Sequence, residues 1–116
     1  MRFTLIVPVA AAALFLASPL SASTAYLRVR PTTVARGGRV TVSGGRCLAG
    51  DTVYLISQAF VGNAFVEHSV ATTARSNGTF SRVVRIRRRI PPRRYGITAR
   101  CGGGNLGVVV YLRVTR

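Results

Sequence analysis

The chain has 116 residues, 17 of them basic and 2 acidic, for a formal net charge of +15. That length supports one small domain around one modest core. Two carboxylates, Asp51 and Glu67, one histidine, His68, and two cysteines are too few for a spaced acid/base pair or a multi-ligand metal site.

The N-terminus reads Met1, Arg2, Phe3, then an apolar run from Thr4 to Leu20. Ser23 and Ala25 place small side chains three residues and one residue before a cut after Ala25. A charge, an apolar core and a small-residue cut site together make a signal-peptide pattern, so residues 1–25 are expected to be a cleaved helical leader. A retained anchor is the weaker reading. The run falls short of the about 20 apolar residues a bilayer span needs, and Pro8 interrupts it. No cysteine stands at the cut, so a lipid anchor there is not expected. The mature domain is then residues 26–116, secreted and still at +14 once Arg2 is gone. Every basic residue is arginine. Either coding bias or a use for the planar guanidinium fork accounts for that choice.

From Tyr26 onward apolar and polar residues alternate with period two, which predicts strands rather than helices. Leu27 and Val29 face one way and Arg28 and Arg30 the other, until Pro31. Val40 and Val42 alternate with Arg39, Thr41 and Ser43, and Val53, Leu55 and Ser57 with Tyr54, Ile56 and Gln58. Residues 59–70 fit one strand, two, or a long loop. Phe80, Val84 and Ile86 mark a further inward face, and Tyr95, Ile97, Ala99 and Cys101 another. Leu106, Val108, Val110, Leu112 and Val114 form the last. Turn residues punctuate these runs: Gly37-Gly38, Gly50-Asp51, Asn77-Gly78, Pro91-Pro92 and Gly102 to Asn105. Asn-Gly is the strongest short hairpin signal. About seven short antiparallel strands predict an all-β sandwich.

Val40-Thr41-Val42-Ser43-Gly44, then Cys47, Gly50 and Val53, then Asn77-Gly78-Thr79-Phe80, then Tyr95 with Ile97, Ala99 and Cys101, occur in that order. In this order the chain resembles the secreted immunoglobulin-like modules common in actinobacteria. The resemblance implies an immunoglobulin-like sandwich and implies no function. There are departures: no tryptophan is present to pack on the disulfide, and Arg82 falls at an inward position. In this topology the strands leading to Cys47 and Cys101 run toward the same end. Cys47 breaks the parity of Val40 and Val42, so it belongs past the strand end. A Cys47–Cys101 disulfide is expected there, in the oxidising compartment that the leader implies.

Catalysis is poorly supplied. Glu67 and His68 are adjacent and would point to opposite faces of a strand, and Asp51 sits in a predicted turn where aspartate caps amides. No catalytic residue, metal ligand or cofactor is expected. Gly102, Gly104 and Gly107 satisfy a GxGxxG pattern, but β sequence follows rather than a helix, so a loop is expected. Asn77-Gly78-Thr79 also spells a glycosylation sequon that the turn explains sufficiently.

The clearest functional signal is the run Arg82, Arg85, Arg87, Arg88, Arg89, Arg93 and Arg94. Arg85, Arg87 and Arg89 are expected on the face opposite Val84 and Ile86. Such a stripe attracts polyanions: an anionic wall polymer, lipid headgroups or nucleic acid without sequence preference. A solvated basic face is the bland reading. A second surface gathers Tyr54, Ile56, Arg100, Tyr111 and Arg113, with Thr98 and Val109, on one outer sheet face; aromatic and arginine side chains favour contact with a protein partner. Phe60-Val61 and Phe65-Val66 are expected as core plugs. The leading reading is a non-catalytic secreted binding module. The alternatives are a small-ligand carrier like the chromoprotein-antibiotic apoproteins, which needs an open apolar cleft, and a membrane-active cationic protein.

Overall fold

The computed structural model describes residues 24–63 and 68–116. The leader up to residue 23, Phe65-Val66 and Glu67 lie outside the described residues.

Among the described residues nine strands form, in chain order: β1 (Tyr26–Arg30), β2 (Thr33–Ala35), β3 (Arg39–Gly45), β4 (Thr52–Ile56), β5 (Ser69–Thr73), β6 (Phe80–Arg85), β7 (Arg94–Cys101), β8 (Gly104–Asn105) and β9 (Val110–Thr115). Among the described residues there is no helix. β1, β3 and β6 make one sheet in the order β1-β3-β6. The other runs β2-β9-β7-β4-β5, with β8 paired to β7. Together they are an all-β, immunoglobulin-like sandwich.

Period-two patterning explains which side chains meet between the sheets. Val29, Val40, Val42, Phe80 and Val84 come from one sheet and Val53, Leu55, Val70, Tyr95, Ile97, Ala99, Leu112 and Val114 from the other, all buried. Phe60 and Ile86 close the layer at 0% exposure. Each Val, Leu, Ile or Phe among them contributes about 1.5–3 kcal/mol by leaving water. Tyr95, at the start of β7, turns its hydroxyl back to donate to the Pro91 carbonyl at 2.6 Å. A tyrosine so placed is a recurrent device of immunoglobulin-like domains.

Three expectations are corrected. The strands number more than seven, and they are not all antiparallel. β2 pairs with β9 in parallel, Val34 opposite Val114. The chain crosses sheets at Pro31, which cannot donate to a ladder, and the Thr32 carbonyl then accepts from Arg113. Nor does Asn77-Gly78 close a hairpin between paired strands. It joins β5 and β6, which belong to different sheets, and only Gly78 has positive φ there, at 83°. Its carbonyl accepts from Cys47 N–H at 3.1 Å. A side chain at 78 would collide with the Cys47 carbonyl.

Cys47 is bonded to Cys101, with 5.8 Å between Cα atoms across a sequence separation of 54. Cys47 lies in the loop past Gly45 and Cys101 ends β7, as parity predicts. Asp51 caps that loop by accepting from Leu48 N–H at 3.1 Å.

Candidate functional site

The opposite end of the sandwich is where β3 and β7 begin and β6 finishes. Residues 59–61 lie there as a short ridge along the end of β6. Val61 N–H donates to the Arg85 carbonyl and Arg87 N–H to the Ala59 carbonyl, at 3.0 and 2.9 Å. Phe60 and Ile86 pair across this join and anchor it in the core. Gly62 continues the ridge; a Cβ there would fall 2.9 Å from His68 N, so only glycine lets the two segments lie this close. Of the undecided segment, residues 59–63 are a loop held by one bridge, and β5 starts at Ser69.

An open cleft lies on either side of Val61-Gly62. One, of about 470 Å³, is lined by Phe60, His68, Arg87, Arg88 and Arg89. The other, of about 430 Å³, takes Arg39, Arg82 and Arg85 together with Val70, Val83 and Val84. Val61 and Gly62 line both. The described acidic side chain, Asp51, is committed at the disulfide end.

Backbone register sets these arginines in place. Arg39 of β3 stands directly opposite Arg85 of β6, and both are exposed. Like charges opposite one another destabilise a sheet by a few tenths of a kcal/mol, up to about 1. The Arg87 guanidinium donates to the Gln58 carbonyl at 2.9 Å. Arg88 runs its stem over Gly37.

The predicted run of arginines thus divides. Arg85 lines the second cleft and Arg87 and Arg89 the first, and β6 ends at Arg85, so the expected stripe is not carried on one strand. Arg82 does occupy the inward parity, opposite Val42. It escapes burial because β6 is the edge of its sheet, where the side chain reaches across to donate to the Ala71 carbonyl of β5 at 3.2 Å. Arg93 and Arg94 leave the group altogether. Their guanidinium carbons sit 4.4 Å from the Tyr95 ring centroid and 4.3 Å from that of Tyr111. Arg39 joins the site unannounced. Its outward parity was readable, but its pairing with Arg85 depends on the β3–β6 register.

The second predicted surface assembles in part. Tyr54 pairs with Arg100, and both line a cleft of about 400 Å³ with Ile56, Ser69 and Gly103. Tyr111 and Arg113 share the same outer face on β9, outside that cleft. His68 lines the first arginine cleft, and among the described residues no three of His, Cys, Asp and Glu come together. Gly102 falls in the β7–β8 turn, Gly104 opens β8, and Gly107 lies in the link to β9.

No family model and no curated protein matches the chain. A solved structure, that of WR4, a C. elegans MSP family member, aligns over 76% of this chain and 94% of that one, with 11% identity and a TM-score of 0.39.

Proposed function

We propose that the protein is a secreted, non-enzymatic binding module that holds an anionic polymer at its arginine-lined end. The observation that carries this is the pair of clefts around Val61-Gly62, lined by six arginines from β3, β6 and the segment after it. Guanidinium forks bind phosphate and carboxylate oxygens bidentately. Strand register sets where the Arg39 and Arg85 stems leave the sheet, and the Arg82 and Arg87 guanidinium groups are each anchored by one hydrogen bond. Nothing in either cleft offers a pattern for reading bases, so binding is sequence-independent and salt-sensitive. The signal-peptide pattern and the disulfide support action outside the cell, in the manner of the secreted actinobacterial modules that the sequence resembles.

The competing readings draw less support. A carrier needs open space between the sheets, and Phe60, Phe80, Leu55, Ile97 and Leu112 fill it, each at or below 1% exposure. A membrane-active protein needs a continuous apolar face, whereas of the exposed aliphatic residues only Val61 and Val83 come together, in an arginine-lined cleft, and Leu48 and Val109 lie on other loops. Retention on a heparin column tests the proposal. The protein should elute at high salt, and a variant with Arg39, Arg85, Arg88 and Arg89 changed to glutamine should elute much earlier. Equal retention of the two proteins would rule out the clefts as the site.

A further inference from the structure

Resting on that reading, we infer that the two clefts are coupled subsites for one linear chain of phosphate groups that crosses the Val61-Gly62 ridge. Arg85 and Arg87 line different clefts, yet only the buried Ile86 separates them. Both flanking backbone groups are tied to the ridge through Val61 N–H and the Ala59 carbonyl. Residues two apart on an extended chain are about 6.6 Å apart. Adjacent charges of one polymer can therefore occupy both clefts, while a single small anion reaches only one.

The chemistry within each cleft differs in a way that favours a chain over a point charge. In the second cleft Arg39 and Arg85 face each other, and among the described residues no acidic side chain lines it. An anionic group seated there relieves their repulsion and receives donors from two strands. In the first cleft Arg88 and Arg89 are exposed, while one donor of Arg87 is already given to Gln58. A guanidinium has five N–H donors, so Arg87 still has capacity for a ligand oxygen. Val61 and Gly62, between the clefts, present a small and uncharged crossing point over which a backbone of phosphodiester or polyphosphate type can pass. Once one group is bound, the next binds at the high effective concentration set by the tether. Chain length then governs affinity.

The test is titration of the purified protein, by calorimetry, with orthophosphate, pyrophosphate and long-chain polyphosphate, and with vesicles of an anionic phospholipid. Three variants carry the same charge change: Arg39→Gln/Arg85→Gln in one cleft, Arg88→Gln/Arg89→Gln in the other, and Arg28→Gln/Arg30→Gln on the outer face of β1 as control. Thermal unfolding confirms that each remains folded. Coupled subsites predict a rise in affinity of about 10²-fold or more from orthophosphate to polyphosphate. Either cleft variant should remove most of that rise, combining the two should add little, and the control should retain it. If all three variants lower polyphosphate affinity equally, the coupled subsites are wrong, though a diffuse attraction for polyanions survives. If polyphosphate binds no more tightly than orthophosphate, the chain-spanning inference and the polymer-binding function both fall. Tight binding to vesicles with none to polyphosphate overturns the linear-chain inference in favour of a headgroup surface.

Discussion

At the end of the sandwich where β3 and β7 finish, Cys47 is bonded to Cys101, Gly78 accepts from Cys47 N–H, and Asp51 caps the loop. At the end where those strands begin, Arg39 faces Arg85, and Arg87, Arg88 and Arg89 border an open cleft. The first end ties its loop with backbone and Asp51 hydrogen bonds and adds a covalent bond. The second holds like charges close together with donors to spare, an arrangement that an external anion would stabilise. The two ends share one core.

Four substitutions can break or sharpen this contrast. The largest effect is expected from Phe60→Ala, which empties a fully buried site and costs about 3–5 kcal/mol. Because Phe60 also anchors the ridge, denaturant unfolding and polyphosphate titration should both register the change. Replacing Cys47 and Cys101 by serine should cost about 4 kcal/mol, from a closed loop of 54 residues. Here only the unfolding midpoint should move; a parallel fall in polyanion affinity, measured where the variant is folded, would show that the ends are not independent. Gly78→Ala introduces a side chain at positive φ against the Cys47 carbonyl and should lower stability by about 2 kcal/mol, again with binding unchanged. The smallest effect carries the opposite sign. Arg39→Gln/Arg85→Gln should raise stability in low salt by a few tenths of a kcal/mol, up to about 1, by removing like charges from facing positions. That gain should shrink as added salt screens the pair.

Local patterning made some of this arrangement legible and hid the rest. Inward faces were readable wherever period-two alternation ran for several residues, as in Val40-Val42 and Tyr95-Ile97-Ala99, because burial on one face leaves that signature directly. The position of the disulfide followed from the broken parity of Cys47. β2 escaped notice because three residues between Pro31 and Gly37-Gly38 carry too little pattern. Its parallel partner is the last strand of the chain. The Asn-Gly signal reported a tight turn correctly but could not say that the flanking strands belong to different sheets. For the arginine site, proximity in sequence was a poor guide. Arg93 and Arg94 follow Arg89 closely yet stack on Tyr95 and Tyr111. Arg39 lies far away in sequence and faces Arg85. Only strand register brings Arg39 in, and register is a tertiary property. Parity alone puts the Arg82 side chain on the inward face, opposite Val42. Its resolution, a donor reaching the β5 carbonyl across an open sheet edge, required both sheets.

The most direct test of the division between the two ends is the salt dependence of polyphosphate binding. Each phosphate contact adds about 0.7 to the slope of log affinity against log salt for a single strand. The wild-type protein and the folded Cys47→Ser/Cys101→Ser variant should share one steep slope. The variant with Arg39, Arg85, Arg88 and Arg89 changed to glutamine should lose several contacts' worth of it. A disulfide variant with the shallow slope, or an arginine variant that keeps the steep one, would contradict the account.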